Sequence, residues 1–268
     1  MKRGRIQINE KIVEIHYITN DSKPVMILLH ALGSTGASFR SLMERLSTDF
    51  SVISVDLPGH GGTDNLVEWN QHSVNEWLED VIRSLEINNA HIAGHSIGGD
   101  VALQFAARFP DQVNSVILLD GGYLRGEAFG LSLEEEINHT VTHCRTFHFS
   151  SWKEFDKQPE ADMIRSSMHE NNGRIELKVD VEAAKELVGL MSNQPTQELL
   201  QQLFVPVLLL RSTKPENINP IRLREIERME KFLKINVIDI PQATHDLPVD
   251  QPERVAEQIK KVYVNETS

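Results

Sequence analysis

Short, largely apolar runs punctuate the first half of the chain: Pro24–Leu29, Ser51–Val55, Ala90–Ala93 and Val116–Leu119. Unbroken hydrophobicity over four to six residues is the pattern of a strand buried on both faces of a covered parallel sheet. Between these runs the apolar positions change period. Phe39, Leu42, Met43 and Leu46 share one face of a helix predicted over Ser38–Leu46. A second helix is predicted from a Ser73 cap, with Glu76 three residues on, to about Leu85, and a third over Asp100–Phe109. Ahead of them, Arg5–Ile8 and Ile12–Thr19 read as a hairpin turning at Asn9-Glu10. Regular alternation stops from Gly121 to about Leu200, where runs such as Val181–Met191 predict a mainly helical insertion. It resumes with strand Pro206–Leu210, helix Pro220–Phe232, strand Lys234–Ile240 and helix Pro252–Val262. Strands alternating with helices predict an α/β fold, its mainly parallel sheet covered by helices on both faces. The expected division is a core of residues 1–120 and 201–268 with an inserted segment 121–200.

Composition narrows the partners. With 268 residues the chain can bury a sizeable single core. A formal net charge of −12 argues against general affinity for nucleic acid or anionic lipid, leaving a small molecule as the expected partner. Cys144 is the only cysteine, so no internal disulfide forms and a reducing compartment is expected. The basic Met1–Arg5 is followed by alternating isoleucines rather than the apolar block of a signal peptide. No run approaches the roughly 18 apolar residues of a membrane span. The expectation is a cytoplasmic protein; oligomeric state is not legible.

Candidate chemistry centres on Gly94-His95-Ser96-Ile97-Gly98-Gly99, which joins the predicted strand Ala90–Ala93 to the helix after it. A serine at the apex of a sharp strand-to-helix turn needs neighbours without side chains at −2 and +2, and Gly94 and Gly98 stand there. The result is a lifted hydroxyl at a helix N-terminus, the G-x-S-x-G nucleophile elbow. In this architecture the chain order is serine, acid, histidine. His245, after the last predicted strand, is the only histidine beyond the insertion and is the expected base. Glu216 is the one carboxylate in the loop after Pro206–Leu210 and is the expected acid. Asp120, after Val116–Leu119, is its rival, and Asp246 is disfavoured because adjacent side chains seldom converge. The expected oxyanion donors are the amides of Ile97 and Leu32. His30 is expected to hold the Leu32 loop by hydrogen bonding.

These stretches resemble the α/β-hydrolase superfamily, and within it the capped esterase, C–C hydrolase and perhydrolase-like members. The resemblance rests on Pro24–Gly33 with His30-Ala31-Leu32-Gly33, on Asp56-Leu57-Pro58-Gly59-His60-Gly61, on the serine motif, and on His245 followed by Gln251-Pro252-Glu253. It implies the α/β-hydrolase fold with segment 121–200 as a helical cap. His30-Ala31 stands where the family has His-Gly, Thr244 where it commonly has Gly, and Glu216 where it usually has Asp. Serine at position 96 disfavours relatives with an aspartate nucleophile, such as haloalkane dehalogenases and epoxide hydrolases.

The expected activity is hydrolysis of an ester or similar activated carbonyl of a small, largely apolar molecule, without organic cofactor or metal. His139, His143, Cys144 and His148 do not complete a metal-ligand set. Phe129, Phe147, Phe149, Trp152 and Phe155 are expected to form cap core or an apolar roof. Two other readings stay open: C–C, lactone or thioester cleavage by the same triad, and a non-enzymatic ligand sensor on this fold.

Overall fold

The apolar runs become the centre of one sheet. In the computed structural model, which describes residues 1–264, the chain opens with β1 (Lys2–Ile8), β2 (Lys11–Ile18) and β3 (Val25–Leu29). Next come α1 (Arg40–Leu46), β4 (Ser51–Val55), α2 (Gln71–Ser84), β5 (Ala90–His95), α3 (Ile97–Arg108) and β6 (Val113–Leu119). The helix expected to be capped by Ser73 is capped three residues earlier. Asn70 is the cap, its side-chain oxygen accepting the Ser73 amide at 2.8 Å.

After β6 the chain makes α4 (Leu133–Thr146), β7 (His148–Phe149), α5 (Trp152–Phe155) and α6 (Ala161–Ile164). Then follow β8 (Met168–Asn171), β9 (Arg174–Leu177), α7 (Val181–Met191) and α8 (Gln197–Gln201). This segment is not purely helical: β7, β9 and β8 form a small antiparallel sheet. Against it pack Phe149, Trp152 and Phe155, with edge-to-face contacts among the rings. Phe129, by contrast, stands at the surface. The chain closes with β10 (Val207–Ser212), α9 (Asn219–Glu230), β11 (Ile235–Ile240), α10 (Leu247–Asp250) and α11 (Pro252–Tyr263).

The main sheet has the order β1-β2-β4-β3-β5-β6-β10-β11, antiparallel at β1/β2 and β2/β4 and parallel from β4 onward. Alternate residues of each central strand enter opposite cores, as the two-residue period requires. Ile27, Leu29, Val116 and Leu118 pack with α2 and α3 residues such as Leu78 and Leu103; Met26, Leu28, Ile117 and Leu119 pack with α1 and α11 residues such as Leu42 and Ile259. From β3 the chain steps outward to β4, then returns to place β5 on the other side of β3. The loops leaving β3 and β5 therefore diverge, opening a crevice at the carboxyl ends of the strands, the usual ligand position in open α/β sheets. No helix among the described residues is long and apolar enough to cross a membrane.

Candidate active site

The turn from β5 to α3 is as tight as the glycine spacing predicts. Ser96 has φ 53° and ψ −122°, a region L-residues seldom occupy and a strain on the order of 1–3 kcal/mol. A Cβ on Gly94 would lie 2.1 Å from the Gly98 carbonyl oxygen. One on Gly98 would lie 2.3 Å from the Leu29 carbonyl oxygen and 2.8 Å from that of His30. These obstacles are main chain, with no flexible side chain to yield. Gly98→Ala should therefore lower stability by about 1–3 kcal/mol, as overpacking does, read as a lower denaturant midpoint; an unchanged midpoint would show that the elbow has slack.

Ser96 lines a cavity of about 160 Å³ together with Leu32, Ile97, Asp120 and His245. Ile97 is the first residue of α3, so its amide has no intrahelical acceptor. Neither it nor the Leu32 amide donates to a protein group among the described residues. Both donors expected for an oxyanion thus border the serine's cavity. His30 holds the Leu32 loop: its Nε2 accepts the Leu57 amide at 2.8 Å while Nδ1 lies 2.8 Å from the Ala31 oxygen. Burial pushes its pKa down, which suits a neutral ring serving as donor and acceptor.

Glu216 is not brought to His245. It lies on the surface, 73% of its side chain exposed, and pairs with Lys214 at 2.5 Å. The reason is the loop's own anchoring. The Thr213 and Lys214 amides both donate to the Ala243 oxygen, and Arg222 fills the space beneath with bonds to the Lys214 and Pro215 oxygens. By residue 216 the chain has turned to solvent. The carboxylate that meets the histidine is Asp120, whose Oδ2 accepts from His245 Nδ1 at 3.0 Å.

Asp120 follows β6, has φ 48° and is fully buried. Its Oδ1 accepts the Tyr123 hydroxyl at 2.8 Å and the Ser212 amide at 3.0 Å, and its Oδ2 also accepts the Ser212 hydroxyl at 2.6 Å. Arg222 Nη2 stands 3.7 Å from Oδ2. Burial alone would raise this carboxyl; His245 and Ser212 overcome that and hold its pKa down to about 2. For His245 partial desolvation pulls downward, and the Asp120 bond and charge outweigh it, so the pKa sits above the ordinary histidine value. With Nδ1–H given to the aspartate, Nε2 keeps the lone pair a base needs. His95 braces the same loop, donating from Nε2 to the His245 main-chain oxygen at 2.8 Å. Burial and the neighbouring His245 hold His95 down at about 4, so it stays neutral.

A scan against family models matches residues 24–143 to the alpha/beta hydrolase fold. A solved structure of E-2-(acetamidomethylene)succinate hydrolase superposes with a TM-score of 0.80 at 24% identity, covering 97% of this chain and 98% of that one. The chain has the α/β-hydrolase fold. Among curated relatives, a 2-(acetamidomethylene)succinate hydrolase of Mesorhizobium japonicum is 34% identical over 139 residues, 50% of this chain and 46% of that protein. A 2-hydroxy-6-oxononadienedioate/2-hydroxy-6-oxononatrienedioate hydrolase of Paraburkholderia phymatum is 35% identical over 118 residues, 41% of each. The matches thus span less than half the length of these two relatives.

In this α/β-hydrolase-fold protein, sequence reasoning missed Ser212, Tyr123, Arg222 and the bracing by His95. Nothing in their spacing marks them, because they converge on Asp120 and His245 only through the sheet order. A donor set that a metal ion could use, Glu14, His16 and Asp56, is buried away from Ser96, its ligand atoms within 4.8 Å of one another. Its carboxylates already have partners: Arg3 and Arg5 lie against Glu14, and the Gly36 and Gly62 amides donate to Asp56.

Proposed function

We propose that this chain is a serine hydrolase that cleaves an ester or similar activated carbonyl of a small molecule. The observation that carries the reading is Asp120, buried and ionised, gripping Nδ1 of a histidine that borders the same cavity as Ser96. In the first half-reaction Ser96 Oγ bonds to the carbonyl carbon as its proton passes to His245 Nε2. The Leu32 and Ile97 amides face the oxygen on which negative charge develops. The tetrahedral adduct then collapses: the bond to the leaving group breaks, and His245 returns the proton to it. In the second half, water gives a proton to Nε2 and attacks the acyl-serine, and Ser96 is reprotonated on release. Asp120 takes the orienting role first expected of Glu216. No step calls for a metal or organic cofactor.

Two cavities frame the substrate. The space at Ser96 is small and carries Asp100, Arg125 and Glu136. Leu32 also borders a neighbouring cavity of about 310 Å³, lined by Phe147, Met163, Ile164 and Leu177. The larger space suits an apolar leaving group under segment 121–200 acting as a cap. A second reading, cleavage of a C–C or enol-lactone bond by the same residues, draws on the dienedioate hydrolase relative and on the fold neighbour described as an enol-lactonase.

An active-site-directed fluorophosphonate is expected to modify Ser96, as located by peptide mass spectrometry, and at least one member of an ester, lactone and thioester panel should turn over many times. Labelling elsewhere, or no turnover across the panel, would point instead to a ligand sensor and sink the proposal.

A further inference from the structure

The small cavity beside Ser96 is not apolar, and its polarity has an unusual balance. Asp100, on the first turn of α3, lines this cavity with Ser96 and is 8% exposed. Burial pushes the pKa of its carboxyl well above the usual carboxylate range, against the pull of the neighbouring Arg125 charge. Glu136, across the cavity on α4, is also raised by burial, while the Gly126 amide pulls the other way. Arg125 cannot discharge in this manner. Its Nη2 donates to the Pro195 oxygen, but its Nε is buried without a partner, and it makes no ion pair among the described residues. A buried guanidinium nitrogen left unbonded is costly unless something arrives to accept from it.

We propose that this cavity is a subsite for an acyl chain ending in a carboxylate, which Arg125 receives as counter-ion. The preferred substrates are then short half-esters of dicarboxylic acids. Size agrees: a cavity of about 150 Å³ holds a benzene ring, and the space here is about 160 Å³. A four-carbon succinyl chain has about as many heavy atoms as such a ring. Thr140 and Ser192 add hydroxyls to the same wall. The inference deepens the serine-hydrolase reading and depends on it.

The test compares monomethyl succinate with methyl butyrate, of equal chain length, by proton release. Wild-type protein should show the higher kcat/KM for monomethyl succinate. Arg125→Met should lower the succinate-to-butyrate ratio of kcat/KM by about 10- to 100-fold, the range of a lost charge-assisted hydrogen bond, and Arg125→Lys should restore part of it. Independently of any variant, succinate should inhibit wild-type butyrate turnover competitively and more strongly than butyrate does. A ratio unchanged by Arg125→Met, or equal inhibition by the two acids, overturns the subsite. Should Ser96→Ala keep turning over both esters, the failure lies with the nucleophile, and the subsite falls with it.

Discussion

Replacing Ser96 with alanine should lower kcat by on the order of 10⁶, the size seen when a serine-protease nucleophile is removed. The expectation follows from geometry, since the strained apex places Ser96 in a cavity that His245, Leu32 and Ile97 also line. The residues flanking Ser96 set the turn, and alanine fits wherever serine does, so the variant should fold. Its melting temperature should stay close to that of wild type, or rise slightly if the apex relaxes. Turnover within a few fold of wild type would mean the carbonyl is attacked by something else, and the proposed chemistry would have to be abandoned.

The second large effect concerns the acid. Asp120→Asn should cost about 10⁴ in kcat, because an amide at this position can favour the wrong histidine tautomer. Glu216→Gln, altering a solvent-exposed side chain paired only with Lys214, should leave the rate within about twofold. The pH profile adds a signature that misfolding would not imitate. In wild type the base is the neutral imidazole, so kcat/KM should climb with pH through a pKa above the ordinary histidine value. Taking away the Asp120 charge removes what stabilises the imidazolium. The acidic limb of the residual activity should therefore move to lower pH while the plateau falls. A limb that stays in place, or a larger loss from Glu216→Gln than from Asp120→Asn, would return the role to the loop after β10.

Why sequence reasoning ranked Glu216 above its rival Asp120 is instructive. Glu216 and Asp120 both follow apolar strands, and local pattern ranks them by chain order alone. What separates them is depth: Asp120 leaves β6 directly into the space between the β5 and β10 ends, where Ser212 at the last position of β10 donates to it twice. That neighbour relation exists only after the sheet has assembled. The elbow, by contrast, was legible because its constraint is local; Gly94 and Gly98 are needed within four residues of one another whatever else the chain does. The central strands were legible because burial on both faces writes itself as an unbroken run. The two-residue β7 and four-residue β8 and β9 are too short to show any period. The aromatic residues expected under the cap divide accordingly: Phe147, Phe149, Trp152 and Phe155 pack with that small sheet, and Phe147 also reaches a cavity wall, whereas Phe129 stands at the surface. The Leu32 loop was located by its motif, but its bracing by His30 needed the Leu57 amide to be seen.

The paired bonds from Thr213 and Lys214 to the Ala243 oxygen, two residues before His245, fasten the His245 loop to its neighbour like a hinge pin. Engineering that lengthens or grafts residues 213–215 would shift the imidazole along with them and degrade every substrate alike. Diversity libraries aimed at new specificity belong instead at 147–164, whose side chains Phe147, Met163 and Ile164 meet the larger cavity without touching that fastening.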